Sequence, residues 1–70
     1  MRKKLRQARL DKGMTQKQIA EYLGIGERYY KDIEYGEKLG AIWMWDKLED
    51  LFNINQRVLR EIHLGKEDNQ

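Results

Sequence analysis

The side chains able to do chemistry in this chain are mostly cations, and they are unevenly spread. Arg2, Lys3, Lys4, Arg6, Arg9, Lys12 and Lys17 face one acid, Asp11, giving +6 over the first 17 residues of a 70-residue chain with net charge +2. The remainder is −2 over residues 18–36, −2 over 37–55 and zero over 56–70. Half of the basic side chains therefore fall in the first quarter of the molecule, an electrostatic preference for a polyanion if folding gathers them on one face. Other chemistry finds little support. Cys is absent, which removes disulfides and thiolate zinc sites, and the lone His63 cannot build a metal cage. A cation late in the last helix favours its dipole, so His63 reads as a capping or solvated residue. No Ser-His-Asp, H-E-x-x-H or P-loop pattern occurs. A short helical chain also leaves scant volume for a small-molecule pocket of roughly 300 Å³ or more. The expectation is a protein that is not an enzyme, with no cofactor, no metal and no small-molecule ligand.

These cations must be positioned by helices. Pro is absent, and the six Gly at 13, 24, 26, 36, 40 and 65 divide the chain into helix-sized intervals. A first helix over 2–12 presents Leu5, Ala8 and the stem of Lys12 on one face, with Gly13 placed to close it. Thr15 reads as an N-cap, and Gln18 three residues on completes a capping box for a second helix carrying Ile19, Ala20 and Leu23. Gly24-Ile25-Gly26 is too short for anything but a tight turn, pinned inward by Ile25. A third helix from Glu27 to Tyr35 places Tyr30 and Ile33 inward and stops at Gly36. Beyond the polar connection 37–40, Ile42, Trp45, Leu48 and Phe52 recur at helical spacing. Asn55 can then cap a last helix holding Val58, Leu59 and Ile62, ended by Gly65. Residues 1–65 are expected to form one domain and 66–70 a polar, disordered tail. No stretch alternates with period two, so the fold class is all-α, with five helices.

Two helices joined by a short glycine-containing turn make a helix-turn-helix, whose second helix fits a major groove about 12 Å wide. The run TQKQIAEYLGIGERYYKDIEYG resembles the Cro/repressor (XRE-type) helix-turn-helix family. The likeness extends over nearly the whole chain: Leu5, Arg6 and Arg9 in the first helix, then Gly13, Thr15-Gln16, Ala20, Leu23-Gly24-Ile25 and Ile33-Glu34-x-Gly36. It implies a lambda-repressor-like five-helix bundle that binds double-stranded DNA and regulates transcription. Base-facing positions then fall on Glu27, Arg28, Lys31, Asp32 and Tyr35, and phosphate-contacting ones on Gln16, Lys17 and Tyr29. Arg28 is the leading base reader, because its planar fork matches guanine O6 and N7. Arg9 and Glu34 resemble a structural ion pair between the first and third helices.

Departures from the family pattern bear on binding. Gly26 stands where Ser or Thr usually caps the third helix, giving a weaker cap. Glu27 and Asp32 place two carboxylates on the groove face, where phosphates repel them unless they accept a hydrogen bond or pair with Arg28 or Lys31. This acidity leaves open a second reading, a helix-turn-helix scaffold serving chiefly as a protein-interaction module. Tyr30 replaces the usual Ile or Val.

Tyr22, Tyr29, Tyr30 and Tyr35 read mainly as core edges with wet hydroxyls, Tyr29 and Tyr35 being the better placed for DNA. Trp43 and Met44 point away from the Ile42–Phe52 stripe, forming either an exposed partner patch or a contact with the preceding loop. Trp43, Val58, Leu59 and Ile62 are the expected homodimer or partner surface, although a short bundle could use the same residues for its own core. The longest apolar run, Ala41–Trp45, is five residues against the ~20 a membrane span needs. The basic start lacks a signal-peptide h-region. The expected location is the cytoplasm, with the nucleoid when DNA is bound.

Overall fold

A computed structural model describes residues 1–61 of the chain. Its helices are α1 (Lys3–Asp11), α2 (Gln16–Leu23), α3 (Glu27–Tyr35), α4 (Ile42–Phe52) and α5 (Gln56–Arg60). Among the described residues there is no strand, and no helix is long and apolar enough to cross a membrane. Packing runs α2 on α3, α1 on both α3 and α5, and α4 on α5. The expected disordered tail 66–70, Ile62, His63 and Gly65 lie outside the described residues.

Local signals account for most helix boundaries. The Thr15 hydroxyl accepts from Gln18 N at 3.0 Å while the Gln18 side chain accepts from Thr15 N at 2.9 Å, completing the capping box that starts α2. Gly24 ends α2 at φ +76°, a left-handed conformation in which a Cβ is strained. Asn55 caps α5 by accepting from Arg57 N at 2.8 Å. Helix α5 stops earlier than expected, at Glu61 with φ +55°, and the Glu61 carboxylate turns back to accept the backbone N–H groups of Lys3 and Lys4 at the start of α1. That exchange supplies α1 with a cap its own N-cap residue, Arg2, does not provide.

The core joins Leu5 and Ala8 of α1, Ile19, Ala20 and Leu23 of α2, Tyr30 and Ile33 of α3, Met44, Trp45, Leu48 and Phe52 of α4, and Leu59 of α5. Ile25 packs against it from the turn. Two expectations fail here. Ile42 is 70% exposed and Met44 only 1%, the reverse of the predicted assignment. Ile42 opens α4 on its solvent side, and the buried stripe runs Met44, Trp45, Leu48 and Phe52, which is equally helical in period. Leu59, predicted at a partner surface, is fully buried, because a five-residue helix must turn one of its two apolar side chains inward. Val58 remains outside, as does Trp43 at 49% exposure.

A second anchor is Arg2, which the charge pattern had grouped with the polyanion-seeking cations. Its guanidinium lies 5.3 Å from the centre of the Trp45 ring and donates to the carbonyls of Ile33, Lys38 at 2.9 Å and Arg60 at 3.3 Å. The Trp45 indole in turn donates to Leu39 O at 2.8 Å. Gly40 sits in this corner at φ +80°, where an added Cβ would meet Ile33 Cδ1 at 3.2 Å. Arg2 therefore ties the α3–α4 connection to the bundle.

The reversed register of α4 has a direct test. Met44→Ala is expected to destabilise by about 2–5 kcal/mol through cavity formation, whereas Ile42→Gln should stay within about 0.5 kcal/mol of the parent in urea denaturation. Equal losses at the two positions would contradict this packing.

Candidate nucleic-acid interface

The helix-turn-helix is built by a turn of only three residues. Ile25 N donates to Ala20 O at 3.0 Å and Gly24 N to Glu21 O at 3.2 Å, which folds Gly24-Ile25-Gly26 tightly over the end of α2. Ala20 is buried, and its small side chain suits the close packing of α2 on α3. Gly26 is the N-cap of α3 and gives no side-chain cap, while Glu27 in the first turn suits the positive end of the helix dipole. With Tyr30, Ile33 and Glu34 turned inward, the opposite face of α3 is left bare.

That face carries a shallow concavity of about 660 Å³ bordered by Arg28, Lys31, Asp32, Tyr35, Glu37 and Lys38. The Arg28 side chain is 91% exposed, and its Nε lies 3.8 Å from the Asp32 carboxylate. Lys31 Nζ lies 3.6 Å from Glu27. Both acids are therefore paired one helical turn away with cations of the same face, an arrangement that offsets their repulsion toward phosphates. Tyr35 is exposed, whereas Tyr29 is half-buried and leans on the core. Tyr22 is engaged elsewhere: its hydroxyl donates to Lys47 O at 3.4 Å, while Lys47 Nζ donates to Tyr22 O at 3.2 Å and lies over its ring.

A second hollow, of about 480 Å³, joins the start of α2 to the start of α3, with Arg9, Gln16, Lys17 and Glu27 on its walls. Lys17 thus shares a side with α3. Arg9 borders the same hollow, but Arg2 and Lys12 do not join it, contrary to what the charge distribution led one to expect. Arg2 is folded inward, the amides of Lys3 and Lys4 meet Glu61 at the α5 end, and Lys12 borders a hollow with Phe52 and Ile54.

Beneath the face sits a buried polar cluster centred on Glu34. Arg9 grips this carboxylate with two hydrogen bonds, from Nε at 2.9 Å and Nη2 at 3.1 Å, and donates a third to Met14 O. The Tyr30 hydroxyl donates to the Glu34 carboxylate at 2.8 Å, and Gln16 Nε2 donates to its other oxygen at 3.0 Å. Burial pushes the Glu34 carboxyl upward, but hydrogen bonds from Arg9 and then Tyr30, helped by the Arg9 charge and by Gln16, outweigh it and leave its pKa below the ordinary 4.5. Burial and then the adjacent Glu34 charge raise the Tyr30 phenol well above its usual value, so it stays a donor. The resemblance pointed to Arg9 and Glu34. Tyr30 was legible as an i, i+4 neighbour of Glu34, but nothing in the sequence marked Gln16 as a ligand of this carboxylate.

A helix-turn-helix family profile matches residues 5–55, spanning the capped α2, the glycine turn, α3 and the Glu34 cluster. This chain belongs to the helix-turn-helix family. It is also 41% identical over 61 residues, 87% of its own length and 80% of the relative's, to a Bacillus subtilis (strain 168) protein named as the uncharacterized HTH-type transcriptional regulator YqaF. No solved structure gave a significant match. Membership accords with an all-α bundle whose α3 has a bare outer face.

The Glu34 cluster predicts a sign for pH dependence. A depressed folded pKa contributes stability that is fully present above about pH 4.5 and drains away as pH falls through the folded value. Glu34→Ala, which leaves Arg9 buried without its partner, is expected to lose about 3–5 kcal/mol at pH 7. Urea midpoints measured between pH 3 and 6 should fall with acid for the parent and show a flatter profile for the variant.

Proposed function

We propose that this protein binds double-stranded DNA sequence-specifically, with α3 in the major groove, and regulates transcription in the manner of a Cro-like or repressor-like protein. The carrying observation is the bare outer face of α3, with Arg28, its second residue, at 91% side-chain exposure. Family membership supports the broader reading, a DNA-binding regulator rather than an enzyme, and the B. subtilis relative carries a regulator's name.

In this reading Arg28 offers its fork to guanine O6 and N7, and Glu27, Lys31, Asp32 and Tyr35 face neighbouring base edges. The first amides of α2 have no acceptor within their helix, so the N-terminus at Gln16 and Lys17 receives a backbone phosphate, with Tyr29 alongside. Gln16 Nε2 carries a second N–H beyond the one given to Glu34, so it can hold the cluster and a phosphate oxygen together. One such helix covers only a few base pairs. A homodimer assembled on DNA, reading half-sites about 34 Å apart, supplies the missing affinity and discrimination. Trp43 and Val58 are the exposed apolar residues offered to that contact. The protein works in the cytoplasm, on the nucleoid when bound.

Binding to mixed-sequence duplex should weaken with salt, log K falling against log[salt] by roughly 0.9 per phosphate neutralised. Arg28→Ala should cost about 1–3 kcal/mol on the preferred site and relax one base preference, while Lys17→Ala should weaken all duplexes alike. Fluorescence anisotropy across a salt series measures both. No binding to any duplex at low salt would sink the reading in favour of a protein-interaction scaffold.

A further inference from the structure

Asp32 is the least expected residue on the outer face of α3. Its side chain is only 24% exposed and sits in the concavity flanked by Arg28, Lys31 and Lys38. Its backbone carbonyl is occupied by Glu37 N at 2.8 Å and Lys38 N at 3.3 Å, which holds the end of α3 and the following turn around it. The carboxylate itself is different. Arg28 Nε, at 3.8 Å, is near enough to offset its charge but beyond hydrogen-bond reach. Among the described residues no hydrogen bond reaches either the Asp32 carboxylate or the Arg28 guanidinium.

An ionised carboxylate only accepts and a guanidinium only donates. Residues four apart on one helix face are neighbours, about 5–6 Å between Cβ atoms, a span of one to two base-pair steps. A ligand that satisfies both groups must present an acceptor pair and an amino donor at that spacing. Phosphate satisfies the arginine and repels the aspartate. In the major groove a G·C pair offers both, guanine O6 and N7 as acceptors and cytosine N4 as donor, and adenine N6 is the alternative donor. Thymine presents only an O4 acceptor and a methyl group, and guanine only acceptors, so either leaves Asp32 facing a lone pair.

The geometry points to Asp32 as a specificity-determining residue that selects for an exocyclic amino group, cytosine N4 or adenine N6, at or next to the base pair whose guanine Arg28 reads. This rests on the DNA-binding reading above and adds the base chemistry of the site. Asp32 contributes little net affinity, because its charge opposes the phosphates on either side. It acts by rejecting wrong bases.

The test compares the parent, Asp32→Ala, Asp32→Asn and Arg28→Ala, first by selection from a random duplex pool and then by anisotropy on the selected duplex and its single-base changes at fixed salt. The parent should require C or A at one position and disfavour T or G there on the order of 10-fold. Asp32→Ala should lose that preference while keeping the guanine preference at the Arg28 position, and should bind non-specific duplex more tightly than the parent. Asp32→Asn should shift toward adenine, which an amide can contact at both N6 and N7. Because the Asp32 side chain makes no contact that the core depends on, the variants should melt with the parent. An Asp32→Ala protein that gains affinity yet selects the same sequence at every position would overturn the inference and leave DNA binding standing. Failure of the parent to bind any duplex would overturn both.

Discussion

One buried carboxylate holds the recognition unit together. Glu34 lies at the junction of α1, α2 and α3 and accepts hydrogen bonds from a residue of each: Arg9, Gln16 and Tyr30. Taking a charge out of water is expensive, and it is tolerable here because the arginine fork neutralises the acid and the remaining lone pairs are filled. The consequence is directional. Apolar packing alone would let α1 slide over the helix pair, whereas bidentate pairing fixes the distance and the angle between them. Since α3 carries Glu34 on its inner side, the same bond sets which side of α3 faces outward.

The rest of the bundle supports this unit from its edges. Arg2 lies against the Trp45 ring and gathers carbonyls from α3, the α3–α4 connection and α5, while Glu61 returns from the end of α5 to cap α1. The Arg2–Arg60 and Lys3–Glu61 bonds each join residues 58 positions apart in the chain. A short helix such as α5 is not stable alone, and these contacts, with Leu59 in the core, are what retain it. Two charged residues that would ordinarily lie in solvent thereby act as structural ties.

On the outer face the balance of charge is local rather than global. The +6 of the first 17 residues suggested a basic end turned toward a polyanion. In the folded chain Arg2 and Arg9 are absorbed by the structure, and the cations beside the outer side of α3 are Arg28, Lys31, Lys38 and Lys17. Glu27 and Asp32 sit among them in pairs one turn apart, so the face is alternately donating and accepting rather than uniformly positive. A surface of that kind favours discrimination over raw attraction.

Much of this was legible in the linear sequence, for physical reasons that act over short distances. Glycines that need a positive φ ended the helices at Gly24 and Gly36, Thr15 and Gln18 announced the capping box, and the apolar spacing of Ile19, Ala20, Leu23, Tyr30 and Ile33 set the buried sides of α2 and α3. Those signals lie within a turn or two of the residue they govern. The fold had to decide what depends on neighbours from elsewhere in the chain. Ile42 and Met44 fit a helical stripe equally well, and only the position of the bundle made one exposed and the other core. Leu59 rather than Val58 turned inward for the same reason, and Arg2 became an anchor only because Trp45 and three distant carbonyls converged on it. Local backbone preference is written residue by residue, whereas burial and charge pairing belong to surfaces that exist only once the helices have met.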